Sequence, residues 1–494
     1  MGPQTDAAAG VQQKAGWGAR LAATRKATTR PPSLARPWMI GVAAVSLAVL
    51  ATPATAVPDV PDPVVTGPIE ATALPGSPTR DYPFFASYLD LGAYGYVEEE
   101  YFIEGTANRY STPPGQTGAV TDGDHPYSTR IVVRRPASAA KFNGTVVIEW
   151  TNVTNGLDME NTWFQIDTHL LRAGYAWVGV SAQRVGVDRL RDWNPDRYGT
   201  LDVSVGGTIT DDALSYDIMS QAAQAVRDPV DVDPLGGLAP QVIIATGHSQ
   251  SASRLATYVN SIQPLSHAFD AFALHGSLGN VIRSDLEVPV WKVLSEFDVE
   301  ALEGRVRRPD EGLFRSWEVA GTSHNDRKSY ASRVLLQLRD LRTAVEDGLD
   351  CTVMPAGSAV PFHYVMAAGL DRLVRWVTDG KPLASAPPLV FASGPPGALA
   401  RDEFGIALGG IRLSQVEVPI AQSSGTNSGP GACSRWGFTE PFDEATLDAL
   451  YRNHGAYVSQ VSRVTRQNRR DGFIVRDDAA RTIREAAQST IGKR

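Results

Sequence analysis

Residues 243–255, which read IIATGHSQSASRL, decide the fold of this chain. A short apolar run leads into small residues, a serine and a helix-like segment, which is the strand–turn–helix context of a nucleophile elbow. Such a turn needs small residues two positions before and after the serine. Gly247 and Ser251 meet this need, with Ser251 in place of the usual second glycine. Ser249 is therefore a candidate nucleophile, and the Gln250 amide is a candidate donor to a developing oxyanion. An ordinary turn with a surface serine could have the same sequence. The rest of the chain must therefore show whether this stretch is a nucleophile elbow.

The composition is that of a globular protein. The chain has 494 residues, 43% of them hydrophobic and 20% charged, which suffices for a large core in one large domain or two. A formal net charge of -8 disfavours nucleic acid as a partner, because phosphate binding needs a basic surface. The sequence contains neither an HExxH motif nor a CxxC pair, and we predict no metal site and no cofactor.

The N-terminus has the order of a secretory signal. Basic residues dominate positions 1–37, the apolar run 38–50 follows, and the small-residue pattern 54–56 closes it. We predict a signal peptide over residues 1–56 that is cleaved near Ala56, and hence a secreted or extracytoplasmic protein with no stable membrane span. The alternative is a retained anchor, for which the apolar run is short.

Two cysteines occur, Cys351 and Cys433. In an exported protein such a pair most often forms one disulfide, which here would close a loop of about 80 residues. Two inert buried thiols are the alternative.

Three segments follow the predicted signal. Residues 57–94 are rich in proline and small residues and show neither helical nor strand periodicity, which predicts an extended lead-in. Residues 95–380 alternate strand and helix patterns and form the predicted core. Residues 381–494 are first irregular and then helical, which predicts a C-terminal lobe packed on the core.

Within the core, two strands of antiparallel type lead an alternation of buried strands and helices. The predicted strands are 96–105, 127–136, 145–150, 175–181, 242–245, 271–274, 288–294 and 314–319. The predicted helices are 162–173, 216–226, 251–262 and 363–378, with 443–467 and 477–487 in the lobe. This order predicts an α/β fold with a mostly parallel, doubly wound sheet and a C-terminal irregular and helical lobe.

A serine nucleophile needs a base that an acidic residue holds in place. When the serine lies on such an elbow, the chain order is serine, acid, histidine, and the acid follows the second strand after the serine. That strand is 290–294, and the turn after it contains Glu296 and Asp298. Asp298 stands at the usual place and is favoured, while Glu296 is close enough to compete.

The base should follow the last core strand, and His324 is the histidine in that window. The other histidines precede the serine or the acid, lie inside the elbow (His248), or fall at a helix start or in the lobe. The second oxyanion donor should come from the loop after strand 145–150, where the amides of Thr151 and Asn152 are the candidates. Together these residues predict attack by Ser249 and an acyl-enzyme that water clears with His324 as the base.

With these residues placed, residues 95–380 resemble the α/β-hydrolase superfamily. More narrowly, the chain resembles a bacterial family known mainly as "alpha/beta hydrolase domain" proteins. The stretches that carry the narrower resemblance are 147–153 (VIEWTNV), 246–251 (TGHSQS), 317–324 (WEVAGTSH) and, in the lobe, 409–413 (GGIRL). The resemblance implies a sheet of α/β-hydrolase type and a serine hydrolase that acts on carboxylic esters, without a settled substrate.

The sequence therefore predicts an exported serine esterase whose partner is a small-molecule ester. Two alternatives stay open: an exported amidase or peptidase with the same triad, and a non-catalytic binding protein on the hydrolase fold. The walls of the substrate pocket are expected from loops at 183–213, 278–287, 299–313 and 325–357. The oligomeric state is not predicted.

Overall fold

The structure is a computed structural model that describes residues 60–344 and 349–493. The predicted signal peptide over residues 1–56 lies outside the described residues. Across the described ranges, no helix combines the length and the apolar character that a membrane crossing requires.

A nine-stranded sheet forms the centre of the described chain. Its strands are β1 (Val64–Thr66), β2 (Tyr96–Ser111), β3 (Ala119–Pro136), β4 (Thr145–Trp150), β5 (Ala176–Val180), β6 (Val242–His248), β7 (Ala271–His275), β8 (Val290–Leu294) and β9 (Phe314–Glu318). They lie in the order β1-β2-β3-β5-β4-β6-β7-β8-β9. The pairs from β1 to β5 are antiparallel, and every pair from β5 across to β9 is parallel.

The parallel strands are buried on both faces, which explains why their sequences are continuous apolar runs. Every residue of β4, β5, β6, β7 and β8 is buried. Because parallel strands share one direction, their carboxyl ends meet at one edge of the sheet. The turns after β4, β6, β8 and β9 therefore converge there, and these turns carry the candidate site residues.

Helices flank this sheet. They are α1 (Asn161–Ala173), α2 (Arg184–Trp193), α3 (Pro195–Tyr198), α4 (Ser215–Arg227), α5 (Gln250–Thr257), α6 (Gln263–Ser266), α7 (Glu296–Ala301), α8 (Arg327–Leu341) and α9 (Phe362–Asp379). Helices α1 and α9 pack on each other and against β6, while α5 packs against β4, β6 and β7. The elbow helix and the helix after β4 are thus both held on the central strand.

The C-terminal region adds short helices and a small two-stranded sheet. Its elements are α10 (Ser414–Glu417), β10 (Ala421–Ser424), β11 (Phe438–Pro441), α11 (Glu444–Leu450), α12 (His454–Asp471) and α13 (Arg476–Gln488). Tyr451, Tyr457 and Val461 belong to a small hydrophobic cluster of this region. Ile411 and Phe473 belong instead to the main hydrophobic core, so this region packs on the rest of the chain.

The predicted fold class is confirmed: the sheet is mostly parallel, helices flank it, and a helical region follows it. Each predicted core strand has an observed counterpart, although β2 and β3 are longer than predicted. The predicted helix 251–262 is α5 followed by a π-helical turn over Tyr258–Ile262. The predicted helix 443–467 is divided into α11 and α12.

Three regions differ from the prediction. The lead-in 57–94 contains β1, which pairs with β2, and its Phe84 and Phe85 are buried in the main core. The stretches 183–213 and 325–357, predicted as loops, contain α2 and α8. The helical pattern of α8 is weak because this helix buries polar side chains such as Ser332 and Gln337 where an apolar stripe would be expected. Helix α2, in contrast, buries Val187, Leu190 and Trp193 at helical spacing, a pattern that the prediction missed.

Candidate active site

Ser249 lies in the tight turn between β6 and α5. Its φ of 58° and ψ of -116° are unfavourable for a residue with a Cβ, as expected for the serine of a nucleophile elbow. The Ser249 N–H donates to the carbonyl oxygen of His275 at 2.9 Å, which ties the turn to β7. The residue is 8% exposed, so little more than one edge of the side chain meets solvent.

The residues on either side explain why the turn can form. A Cβ on Gly247 would lie 2.9 Å from Ser251 Oγ and 3.1 Å from the Ser251 carbonyl carbon, so only glycine fits there. Ser251 is accommodated in place of glycine because its hydroxyl is used by the turn. It accepts the His248 N–H and donates to the His248 carbonyl oxygen, both at 3.0 Å. The departure from glycine at position 251 therefore stabilises the turn.

His324 and Asp298 form a buried hydrogen-bonded pair. Their Nδ1 and Oδ1 atoms are 2.6 Å apart. Because an ionised carboxylate only accepts, His324 Nδ1 carries the proton and Nε2 is left as the basic nitrogen. The N–H and hydroxyl of Ser295 donate to Asp298 Oδ2 at 2.7 and 2.8 Å. Burial alone would raise the pKa of Asp298, but His324 and these Ser295 donors hold it below its ordinary value.

The His324–Asp298 pair packs against a position of the chain at which only glycine fits. Gly276, directly after β7, has a φ of +59°, and a Cβ there would lie 3.2 Å from His324 Nδ1 and 3.3 Å from Asp298 Oδ2. The turn after β7 therefore approaches the pair closely, on the same strand whose His275 carbonyl accepts the Ser249 N–H. The structure thus brings Ser249, His324 and Asp298 to one edge of the sheet. Among the described residues there is no hydrogen bond between Ser249 and His324. Such catalytic hydrogen bonds are often long or poorly aligned before substrate binds.

Glu296, the competing acid, points elsewhere. It is fully buried, and its carboxylate accepts the amides of Gly321 at 2.5 Å and Gly425 at 2.9 Å, together with Arg401 at 3.0 Å. Burial raises the pKa of Glu296, against the opposing effect of Arg401 and the two amides. Glu296 therefore joins the turn after β8 to the C-terminal region and does not contact His324.

The C-terminal region also supports the loop that carries His324. The Ala320 N–H donates to the carbonyl of Ile411 at 3.1 Å, and the Asn325 N–H donates to the carbonyl of Arg435 at 2.8 Å. His324 thus lies between two backbone contacts to residues far downstream in the chain. The conformation of this loop consequently depends on the C-terminal region.

The predicted disulfide between Cys351 and Cys433 is present, with Cα atoms 5.5 Å apart and a sequence separation of 82. Cys433 begins the helical turn Cys433–Arg435, whose last residue accepts the Asn325 amide. The cross-link therefore fixes the turn that supports the His324 loop.

The two amides predicted as second oxyanion donors are both occupied. The Thr151 N–H donates to the carbonyl of Val180 at 3.4 Å, and the Asn152 N–H donates to the carbonyl of Met159 at 3.0 Å. This corrects the prediction, since neither amide is free to meet an oxyanion. The Asn152 side chain instead donates to the His248 carbonyl at 2.8 Å and accepts the Thr154 N–H at 2.9 Å, which holds the loop against the elbow. The amide of Val153, which lies between Asn152 and Thr154 in the sequence, has no acceptor among the described residues.

The Gln250 amide, the first predicted donor, begins α5. The first amides of a helix have no intrahelical acceptor, so this N–H is available at the turn. The Gln250 side chain donates to Gln183 at 3.0 Å. Gln183 in turn accepts the Trp150 indole N–H at 3.1 Å and donates to Asp212, which anchors the start of the helix to the neighbouring loop.

A second feature of the region is an apolar cavity of about 340 Å³ in the C-terminal region. Val360 and Ser423, which line it, also flank Gly321 on the far side of the His324 loop. Neither Ser249, His324 nor Asp298 is among the residues that line it. Among the described residues no cluster of three or more His, Cys, Asp or Glu side chains could hold a metal ion. The candidate active site is therefore the Ser249 edge of the sheet.

Sequence reasoning missed several residues that shape this site. Arg401 and Gly425 contact Glu296 from more than a hundred positions away, and no local pattern indicates such a contact. Asn161, whose side chain meets His248 Nδ1 at 3.0 Å, is the first residue of α1 and gave no signal beyond its position before a helical pattern. The Val153 amide directly follows the predicted Asn152 amide, so its position in this loop could have been considered from the sequence.

The fold and the arrangement of serine, histidine and acid define an α/β-hydrolase. The chain belongs to the family described as alpha/beta hydrolase domain, whose family model matches residues 65–484. This establishes the resemblance inferred from the sequence motifs.

Solved structures of low sequence identity are also similar to this chain. One is a serine hydrolase without a lid from Xanthomonas campestris, with 14% identity, a TM-score of 0.27, and coverage of 48% of this chain and 94% of that chain. A fungal esterase from Rhizomucor miehei has 12% identity, a TM-score of 0.30, and coverage of 59% and 92%. A serine hydrolase homologue from Coxiella burnetii has 15% identity, a TM-score of 0.25, and coverage of 44% and 93%. No curated protein sequence matches the chain.

Replacing both cysteines by serine (C351S with C433S) is expected to lower the free energy of unfolding by about 4 kcal/mol, because the cross-link restricts a long loop in the unfolded chain. Urea denaturation followed by circular dichroism measures the change. Reductant should weaken the wild type by a similar amount and leave the double variant unaffected. A loss below about 1 kcal/mol in the double variant would show that the disulfide does not stabilise the fold in this way.

Proposed function

We propose that this protein is an exported serine hydrolase that cleaves carboxylic esters through an acyl-enzyme. The observation that supports the proposal most is the 2.6 Å hydrogen bond between His324 and Asp298 at the same sheet edge as the strained Ser249. A strained serine, a histidine with its Nδ1 bound to a buried carboxylate, and free amides nearby are the parts that acyl transfer needs.

In the proposed reaction, Ser249 Oγ attacks the ester carbonyl carbon while His324 Nε2 takes the hydroxyl proton. The negative charge goes to the carbonyl oxygen, and Asp298 stabilises the positive imidazolium without accepting its proton. Collapse of the intermediate breaks the ester bond, and His324 gives the proton to the leaving alcohol. Water then attacks the acyl-enzyme with His324 again as the base, which releases the acid and restores Ser249.

The proposed oxyanion donors are the amides of Gln250 and Val153. The Gln250 amide follows the nucleophile at the start of α5. The Val153 amide belongs to the loop that Asn152 holds on the His248 carbonyl, one residue from the nucleophile. Thr151 and Asn152 take structural roles in this proposal, because their amides are already bonded.

Export is part of the proposal. It is supported by the basic and apolar order of residues 1–56 and by the disulfide, since disulfides persist in oxidising compartments. The ester as substrate is supported by membership of a hydrolase family and by the arrangement of Ser249, His324 and Asp298, which fits acyl transfer. An amide substrate would use the same three residues, so the tests below compare ester and amide substrates directly.

Ser249→Ala is expected to lower kcat for p-nitrophenyl acyl esters by about 10⁶-fold, because the nucleophile is lost from a unit whose parts act together. A panel of esters of varied acyl length provides the measurement, with aminoacyl anilides tested in parallel. The matched control is Ser253→Ala, one turn along the same helix, which should retain activity. A fluorophosphonate probe should label the wild type and the control but not Ser249→Ala. Anilides cleaved faster than esters would favour an amidase, and an unlabelled, inactive wild type would mean a non-catalytic protein.

Asp298→Asn is expected to lower kcat by about 10⁴-fold, because the amide favours the wrong tautomer of His324. Glu296→Gln should instead keep kcat within about tenfold and lower the melting temperature, since it leaves one of the donors to Glu296 unpaired in the interior. Steady-state kinetics and thermal melting on both variants separate the two roles. A loss of kcat in Glu296→Gln as large as that in Asp298→Asn would contradict the assignment of the acid.

Val153→Pro is expected to lower kcat by about 10²- to 10³-fold with little change in KM, because it removes one proposed N–H donor to the oxyanion. Val153→Gly keeps the N–H and should retain most of the activity. Both variants are compared at equal fractions of folded protein, determined by near-UV circular dichroism. Equal kcat in the proline and glycine variants would show that the Val153 N–H does not bind the oxyanion.

A further inference from the structure

Three histidine rings lie in contact beside the nucleophile. The ring of His248 lies between those of His275 and His324, with centroid distances of 4.3 and 4.4 Å. All three are buried: they are 4%, 2% and 5% exposed, respectively. His324 has a further ring contact with Phe297 at 5.5 Å, on the same turn as Asp298. The proposed base is thus held by one hydrogen bond and by two neighbouring rings.

His248 is fixed more firmly than an ordinary residue at the end of a strand. Its N–H and carbonyl are both bonded to the Ser251 hydroxyl, and the carbonyl also accepts the Asn152 side chain. Its ring Nδ1 lies 3.0 Å from the side-chain nitrogen of Asn161. The backbone and the ring of His248 are therefore restrained independently, so the face that it presents to His324 is set.

Asn161 is itself held in place by the start of α1. The buried carboxylate of Glu149, on β4, accepts the amides of Thr162 and Trp163 at 2.7 and 3.0 Å. These are the two residues that follow Asn161. The restraint on the His248 ring therefore extends to the central strands of the sheet.

The surroundings keep the His248 ring neutral. Burial lowers the pKa of His248 well below its ordinary value, and the neighbouring His275, His324 and Arg333 lower it further. These groups face the ring from β7, from the loop after β9 and from α8. The donor from Asn161 acts in the same direction, because it satisfies Nδ1 as an acceptor. A neutral aromatic face can lie beside a cation, whereas a second imidazolium would repel it.

We propose that His248 is a positioning residue for the reaction: its neutral ring, fixed by Asn161, supports the ring of His324 while His324 holds the proton taken from Ser249. The proposal rests on the proposed function, because it assigns the proton to His324. It explains why the residue before the nucleophile is a histidine. A phenylalanine would supply the ring, but it has no acceptor for Asn161.

The decisive variant is Asn161→Asp, which places a carboxylate beside Nδ1 and so favours a charged His248. We expect kcat for a p-nitrophenyl ester to fall by about 10²-fold at low pH. KM should stay within about threefold, and kcat should recover as the pH rises and His248 loses the added proton. The measurement is the pH profile of kcat and of kcat/KM against the wild type. A wild-type profile, or a loss that is uniform across pH, would overturn the proposal.

A second pair of variants keeps the test decisive if Asn161→Asp folds poorly. His248→Phe retains a ring and should keep at least about a tenth of kcat, whereas His248→Asn removes it and should lose about 10²-fold. Equal kcat in these two variants would overturn the proposal. The matched control is His363→Phe, a change of another buried histidine at the start of α9, which should leave the pH profile unchanged. An inactive wild type with an unlabelled Ser249 would refute the proposed function itself, whereas an active wild type with unaffected variants would refute only this inference.

Discussion

At Ser249 the backbone takes φ 58° and ψ -116°, a conformation that costs about 1–3 kcal/mol for a residue with a Cβ. The surrounding structure offsets this cost with contacts from a strand, a loop and a helix. β7 accepts the Ser249 N–H, the loop after β4 donates to the carbonyl before it, and the Ser251 hydroxyl closes the turn. The strain is tolerated because each contact comes from an element that is itself buried. The same contacts bring the amides and the histidine rings into place, so the rest of the site follows from this one turn.

Much of the fold could be predicted from the sequence, since buried parallel strands appear as apolar runs and the elbow has a recognisable pattern. The order of Ser249, Asp298 and His324 follows from the order of the strands that end before them. The sequence favours Asp298 over Glu296 by its position but leaves Glu296 as a competitor, because both follow β8 and lie two positions apart. The structure separates them through a capping interaction: Ser295 caps α7 and bonds to Asp298, which meets His324, while Glu296 faces Arg401.

Other features depend on contacts that sequence periodicity does not report. Strand β1 is three residues long and forms by pairing with the edge of β2, so its own sequence shows little strand pattern. Helix α8 buries polar residues and therefore lacks the apolar stripe that predicts a helix. Backbone amides have no residue type, so the sequence does not distinguish Thr151 and Asn152 from their neighbour Val153, whose N–H has no acceptor in the described part of the chain. In each case a partner distant in the chain decides the outcome.

The support that Ile411, Gly425 and Arg435 give to the His324 loop has a consequence for the order of events during biosynthesis. A chain is made from its N-terminus, and its parts fold as they become available. Ser249, Asp298 and His324 are synthesised before Ile411 and Arg435, which contact the histidine loop, and before Cys433, which is joined to Cys351 and begins the turn that contains Arg435. A partly made chain thus contains Ser249, Asp298 and His324 without the residues that contact the His324 loop. The candidate site is completed by the part of the chain that is made last, and not by the part that carries its three residues.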